Sequence, residues 1–121
     1  HFRREDIQKG YTRFLAHGDI PRKLTQLLHE LRGENLLSGL SFEALITRSA
    51  YYFAELNYIH PFREGNGRAT REFMRQLYAR NGYVVNWAAV PVDHLLVAME
   101  MSVFDTHNLE AVLSLCLGKN S

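Results

Sequence analysis

The segment from His60 to Arg71 gathers residue types that suit chemistry on a phosphorylated substrate. Gly65 and Gly67 allow a tight turn whose backbone N–H groups converge, and a helix is expected to begin directly after them. Free amides at the positive end of a helix form a binding site for an anion. The segment therefore predicts an anion-binding loop.

Charged side chains surround this predicted loop. Arg68 and Arg71 are three residues apart, so they share one side of a helix and could each bind phosphate oxygens. Glu64 adds a carboxylate, and Mg²⁺ is usually held by one or two carboxylates together with phosphate oxygens. His60 precedes Pro61 and so lies at a helix end, where it could accept the proton of an attacking hydroxyl. Together these residues predict the transfer of a phosphorus-containing group.

Two common phosphate-binding motifs are excluded. The chain contains no GxxxxGK[ST] sequence. The spacing from Gly65 through Gly67 to Thr70 lacks the third glycine of the dinucleotide-binding motif and follows a predicted helix instead of a strand.

The elements that must position the loop are predicted to be helices. A first helix has Pro21 in its first turn and Gly33 just past its end, and a second runs from Ser41, its N-cap, to about Ile59. Their apolar residues recur at helical spacing: Leu24, Leu27, Leu28 and Leu31 in the first, and Phe42, Leu45, Ile46, Phe53 and Leu56 in the second.

A third helix should start just after Gly67, turn Ala69, Phe73 and Leu77 inward and end near Asn81-Gly82. Two further helices should be capped by Asp93 and Asn108 and end near Leu117. Residues 7–14 read as a small β-hairpin that turns at Lys9-Gly10. The fold class is therefore all-α, with one short hairpin near the N-terminus.

Length and composition narrow the class of protein. The chain has 121 residues, 46% of them hydrophobic, and a net charge of +1, which predicts one globular domain over residues 1–121 without a general attraction to nucleic acid or membrane. One cysteine, Cys116, excludes an intramolecular disulfide. The chain begins at His1, so we expect a fragment that lacks upstream elements.

The segment resembles the signature of the Fic family, HxFx(D/E)GNGRxxR. Every specified position is present: His60, Phe62, Glu64, Gly65, Asn66, Gly67, Arg68 and Arg71. The predicted hairpin resembles the flap of that family, and the likeness spans residues 4–85. This resemblance implies a Fic-type helical bundle and the transfer of AMP from ATP to a Ser, Thr or Tyr of a target protein.

The resemblance also implies a role for each residue. His60 would deprotonate the target hydroxyl, Phe62 would hold the loop from the core, and Glu64 would bind Mg²⁺. The phosphates of ATP would be bound by Gly65, Asn66, Gly67, Arg68 and Arg71. The target would dock by strand addition on the flap, which comprises Ile7, Gln8, Lys9, Gly10, Tyr11, Thr12, Arg13 and Phe14.

Two other functions are compatible with parts of the sequence. One is a non-catalytic Fic scaffold, and the other is a nucleic-acid-binding helical module using the arginines between Arg63 and Arg80. The second explains neither Glu64 nor the paired glycines. Residues interpreted as structural are Tyr51, Tyr52, Tyr58 and Cys116.

Regulation is predicted to come from a separate protein. Many Fic proteins carry an inhibitory helix, [S/T]xxxE[G/N], whose glutamate pairs with the second arginine of the motif. Here only Glu34 and Glu64 are followed by Asn or Gly, and neither has Ser or Thr four residues earlier. We therefore expect a free Arg71. The inhibitory helix would lie either in a removed part of the protein or in a separate small antitoxin, and we favour the antitoxin. The expected location is the bacterial cytoplasm or, for a secreted effector, the host cytosol.

Overall fold

The computed structural model describes residues 20–59 and 66–119, and within these ranges the chain is mainly helical. The helices are α1 (Ile20–Gly33), α2 (Phe42–Ile59), α3 (Asn66–Arg80), α4 (Val92–Met101) and α5 (His107–Cys116). Strands β1 (Tyr83–Val85) and β2 (Leu117–Lys119) pair antiparallel, with Val84 opposite Gly118. The all-α prediction is confirmed, whereas the hairpin predicted for residues 7–14 lies outside the described residues.

Helix α2 lies at the centre of the described fold, in contact with α1, α3 and α5. The Oγ of Ser41 accepts a hydrogen bond from the backbone N of Ala44 at 3.1 Å, which confirms the predicted N-cap. The buried residues of α2 are Leu45, Ile46, Ser49, Ala50, Tyr52, Phe53, Ala54, Leu56 and Ile59. Because this helix ends directly before the predicted loop, the core fixes the direction from which the loop departs.

The connection between α1 and α2 contains a left-handed turn that the sequence did not reveal. Asn35, Leu36 and Leu37 have φ values of 57°, 53° and 64°, a conformation that costs about 1–2 kcal/mol for each residue with a side chain. The side-chain amide of Asn81, at the end of α3, donates to the carbonyl of Leu36 at 3.1 Å. The turn thus fastens the C-terminus of α3 to the end of α1.

Glu34 anchors the same turn from the other side. Its carboxylate accepts hydrogen bonds from Nε and Nη2 of Arg48 at 2.9 and 2.5 Å, and another from the hydroxyl of Tyr52. The Arg48 hydrogen bonds hold the pKa of Glu34 below its ordinary value of 4.5, although partial burial opposes the shift. Both partners lie on α2, so this pair fixes α1 against α2.

Helix α3 buries a different stripe from the predicted one. Ala69 is exposed and Phe73 is half-buried, so the prediction that both turn inward with Leu77 was wrong for Ala69. The buried residues of α3 are Thr70, Met74, Leu77 and Tyr78. Residues spaced by four rotate about 40° further round a helix at each step, so a stripe read strictly at that spacing drifts off the contact face.

The predicted caps of α4 and α5 were also wrong. Helix α4 begins at Val92, so Asp93 lies in its first turn, where a carboxylate still favours the positive helix end. Helix α5 begins at His107, whose backbone N donates to Oδ1 of Asp105 at 3.0 Å, and Asn108 lies inside the helix. Competing polar residues near a helix start make the cap position ambiguous by one or two residues.

Candidate active site

The predicted loop connects the C-terminus of α2 to the N-terminus of α3. Helix α2 ends at Ile59, as predicted, whereas α3 begins at Asn66 and so includes Gly67, which was predicted to precede the helix. His60, Phe62, Glu64 and Gly65 lie between these ends and outside the described residues, and so do all eight flap residues. The structure therefore describes the helices that carry the loop, together with the last part of the motif.

Gly67 and Arg71 contact each other at the start of α3. A Cβ placed on Gly67 would lie 3.1 Å from Nη1 of Arg71 and 4.0 Å from its Cζ. The guanidinium therefore lies back along the helix, over the first turn, where the backbone N–H groups lack intrahelical partners. A fixed positive charge joins the helix dipole at this point, which favours an anion. Arg68 and Gly67 are both exposed, and Arg71 is half-buried.

A buried hydrogen bond holds α3 in position against α2. The hydroxyl of Tyr78 donates to Oγ of Ser49 at 2.8 Å, and Oγ of Ser49 donates to the carbonyl of Ile46 at 3.3 Å. Burial raises the pKa of Tyr78 well above its ordinary value of 10, so the phenol stays protonated and remains a donor. The orientation of α3, and with it the start of the motif helix, is thus fixed from the core.

A cavity of about 80 Å³ lies beside Gly67 and Arg71. Its wall comes from three helices and comprises Phe53, Asn57, Gly67, Thr70, Arg71, Leu95, Leu96 and Met99. Asn57, Thr70 and the α4 residues were not among the predicted site residues. Asn57 lies one helical turn before His60, and Thr70 directly precedes Arg71. Only this closeness to the motif residues in the sequence could have indicated that they lie near the site.

The structural interpretations of the aromatic and thiol residues agree with their positions. Tyr52 is buried and bonded to Glu34, and the half-buried Tyr51 donates to Glu30 at 2.9 Å, an environment that raises the pKa of Tyr51 to about 12. Cys116 is buried, and desolvation raises the pKa of its thiol. A thiol of this kind is poorly reactive because its thiolate is disfavoured.

The arginines of the described motif helix do not form one continuous basic surface. Arg75 donates from Nε and Nη2 to Glu72 at 2.9 and 2.6 Å, so a carboxylate neutralises it. Both side chains are about half exposed to solvent. This pairing removes one of the charges on which the nucleic-acid interpretation depended.

The residues available for a metal ion fit Mg²⁺ bound together with a nucleotide. Across residues 20–59 and 66–119 no three His, Cys, Asp or Glu residues cluster as they would in an all-protein metal site. Mg²⁺ does not need such a cluster when phosphate oxygens complete its coordination. Glu64 lies outside the described residues, two positions before Asn66 in the sequence, and one carboxylate at that position suits this mode of binding.

A search of the helices in the described ranges finds none with the length and apolar character required to span a bilayer.

This chain is similar in sequence to proteins of one known family. The model of the Fic/DOC family matches residues 1–78. The chain is 38% identical over 91 residues to a probable protein adenylyltransferase Fic of Salmonella typhimurium, which covers 75% of this chain and 46% of that protein. It is 36% identical over 108 residues to the protein adenylyltransferase VbhT of Bartonella schoenbuchensis, covering 89% of this chain and 23% of VbhT.

Two solved structures have the same fold. The BepC effector protein of Bartonella tribocorum with bound AMPPNP superposes with a TM-score of 0.90 at 28% identity, over 98% of this chain and 59% of BepC. The N-terminal Fic domain of a Bep effector from Bartonella quintana with bound ADP superposes with a TM-score of 0.91 at 26% identity. The match covers 98% of this chain and 57% of the Bep chain. The chain spans about half, or less, of the length of the curated relatives described above. With the complete signature inside the matched residues and the helical arrangement shared with solved Fic domains, the chain belongs to the Fic/DOC family.

Proposed function

We propose that the protein transfers AMP from ATP to a hydroxyl side chain of a target protein and releases diphosphate. The observation that carries this proposal is the Arg71 guanidinium lying over Gly67 at the N-terminus of α3, which creates a site for phosphate. The curated relatives are named protein adenylyltransferases, and the two Bartonella neighbours are described with bound AMPPNP and ADP. A nucleoside triphosphate is the substrate that suits both the site and these relatives.

In the proposed reaction the hydroxyl oxygen of the target attacks the α-phosphorus of ATP. The bond between the α-phosphorus and the oxygen that bridges to the β-phosphorus breaks, and diphosphate leaves with the electron pair. His60 accepts the proton of the hydroxyl, because it directly follows α2 and precedes the anion-binding turn. Phe62 keeps the loop in register by packing toward the core.

The phosphates are proposed to bind at the start of α3. Gly65, Asn66 and Gly67 contribute backbone N–H groups, and Asn66 also orients the α-phosphate. Arg68 and Arg71 neutralise the β- and γ-phosphates, which become the leaving diphosphate. Stabilisation of the charge that develops on a leaving group lowers the barrier directly, since that charge is greatest in the transition state.

Glu64 is proposed as the residue that would hold Mg²⁺ beside the bound nucleotide. The bound ion supplies positive charge that neutralises the phosphate oxygens during transfer. This chain would contribute one carboxylate near the start of the motif helix. The helix dipole and two arginines already favour binding of the polyphosphate there.

The flap, residues 7–14, is proposed to dock an extended segment of the target by adding it as a strand, so that its hydroxyl faces the α-phosphate.

Control is proposed to come from a small antitoxin whose helix carries [S/T]xxxE[G/N]. A glutamate from that helix would pair with Arg71 and compete directly with phosphate. The protein is proposed to act in the bacterial cytoplasm or in the host cytosol. The similar Bartonella effector proteins are described as VirB-translocated, which supports the host cytosol.

Mass spectrometry of the proteins in a lysate incubated with the protein, ATP and Mg²⁺ tests this proposal. An adenylyl group on a Ser, Thr or Tyr supports AMP transfer, and the modified peptide identifies the target. A phosphoryl group in its place would contradict the proposed bond cleavage. Absence of any modification would instead favour the non-catalytic scaffold.

A further inference from the structure

Thr70 is a buried polar residue directly beside the arginine proposed to bind phosphate. Only 6% of its surface is exposed. Ser49, the other polar residue buried within the described ranges, has hydrogen bonds to Tyr78 and Ile46. Within those ranges the Thr70 hydroxyl has no such bond. A buried hydroxyl that stays unpaired costs about 1–3 kcal/mol, so this group requires a partner other than the residues of the described ranges, and water is one that the adjacent cavity can hold.

The cavity beside Arg71 offers room for that partner. Its volume is about 80 Å³, and one water molecule needs roughly 10–15 Å³ of such space. Asn57, Thr70 and Arg71 supply the polar groups of its wall, and a buried water typically makes about three hydrogen bonds. The guanidinium of Arg71 can only donate, whereas the hydroxyl and the carboxamide can both donate and accept. Water between them therefore satisfies all three groups.

Helix α4 contributes apolar side chains to the wall of the cavity. Leu95 is buried, Met99 is half-buried, and both line the wall together with Leu96. Helix α4 begins at Val92, beyond the residues 1–78 that match the family model. An apolar cover strengthens the hydrogen bonds beneath it, because it lowers the local dielectric and excludes bulk water.

We infer that Thr70 and Asn57 are positioning residues that hold the Arg71 guanidinium over Gly67 through water in the cavity that α4 helps to line. This inference rests on the proposed function, in which Arg71 binds the terminal phosphates of ATP. In this inference both residues act on Arg71 and not on the nucleotide itself. Both reduce the freedom of a long side chain that must be in place before the phosphates arrive, which raises affinity by preorganisation.

The test measures the dissociation constants of ATP and AMP by calorimetry. Thr70→Val keeps the shape of the side chain but removes the hydroxyl, and Thr70→Ser restores a hydroxyl. We expect Thr70→Val to weaken ATP binding by about tenfold and to leave AMP binding unchanged, since AMP lacks the terminal phosphates. Thr70→Ser should stay within about twofold of the unmodified protein. Thr47→Val, at an exposed position of α2, is the matched control and should change neither constant.

The same measurement in an Arg71→Ala background separates positioning from general packing. If Thr70 acts through Arg71, Thr70→Val should cause no further loss of ATP affinity there. Unchanged ATP binding in Thr70→Val, or an equal loss in both backgrounds, overturns the inference and leaves the proposed function standing. Unchanged ATP binding in Arg71→Ala itself would overturn both the inference and the phosphate role of Arg71. If Thr70→Val does not fold, Asn57→Leu provides the same comparison, with the same selective loss expected.

Discussion

The guanidinium of Arg71 lies against the α-carbon of Gly67, one helical turn earlier in α3. A Cβ at residue 67 would stand 3.1 Å from Nη1 of Arg71, closer than ordinary van der Waals contact allows. The glycine therefore does more than permit a turn, because it leaves the space that the arginine occupies. A side chain at residue 67 would therefore push the guanidinium away from its present place over the first turn of α3.

Gly67→Ala should separate nucleotide binding from stability. The added methyl group must displace the guanidinium by some tenths of an ångström, so we expect ATP affinity to fall by about three- to tenfold. Stability should stay equal or rise by about 0.5–1 kcal/mol, since alanine favours a helix over glycine. Calorimetry with ATP and chemical denaturation measure the two quantities.

Gly33→Ala, at the end of α1, is the control for this substitution. A Cβ at Gly33 meets no atom within 4 Å, so ATP affinity should not change. Full ATP affinity in Gly67→Ala would contradict the importance of the contact between Gly67 and Arg71. A loss in both variants would point to a general effect of alanine on the fold.

His60→Ala should remove transfer while leaving ATP binding nearly intact, because the proposed base acts on the target hydroxyl and not on the nucleotide. Loss of a general base typically lowers the rate by about 10²–10⁴-fold. Parallel measurements of ATP affinity and of target labelling separate the two steps. Unchanged turnover in a folded His60→Ala protein would refute the assignment of the base.

Glu64→Ala should change the response to Mg²⁺. Without this carboxylate the ion loses its proposed protein ligand, so most activity should disappear and the remainder should need much higher Mg²⁺. Activity measured across a magnesium titration gives the answer, with Glu43→Ala, an exposed carboxylate at the start of α2, as control. A Glu64→Ala protein with an unchanged magnesium optimum would show that the ion is held elsewhere.

Glu34→Gln should destabilise the protein at neutral pH and not at low pH. Hydrogen bonds from Arg48 lower the pKa of the folded Glu34 below 4.5, so its contribution is complete above that pH and is lost as the pH falls through the lowered pKa. The Glu34 and Arg48 side chains are 28% and 38% exposed, so the expected loss at pH 7 is only about 1 kcal/mol.

Denaturation curves at pH 7 and at low pH measure this difference. Glu100→Gln, an exposed carboxylate on α4, should behave like the unmodified protein at both values. The two proteins should have the same free energy of unfolding once Glu34 is protonated. If Glu34→Gln is still less stable at that pH, the carboxamide disturbs packing.

The sequence was sufficient to predict an element wherever one local pattern determined its structure. Ser41, the apolar stripe of α2 and the break at Pro61 predicted that helix and its end correctly, and the motif identified the family. Other features depend on contacts between distant segments. The left-handed turn at Asn35–Leu37 is held by Asn81, and nothing near the turn in the sequence indicates this bond.

The cavity beside Arg71 escaped prediction for a similar reason. Thr70 reads as an ordinary helix residue, and only the tertiary structure shows that it is buried beside a cavity to which α2, α3 and α4 all contribute residues. The pairing of β1 with β2 likewise joins segments more than thirty residues apart, as Tyr83 lies opposite Lys119. Periodicity within one segment cannot reveal such partners.

Transfer of label from ATP carrying its radioactive phosphorus in either the α- or the γ-position tests the central claim most directly. The protein is incubated with Mg²⁺, lysate and each labelled ATP in turn, with His60→Ala as the inactive control. The account predicts that label from α-labelled ATP becomes attached to protein, that label from γ-labelled ATP does not, and that His60→Ala attaches neither. Protein labelled from the γ-position, or labelled equally by His60→Ala, would contradict adenylyl transfer at this site.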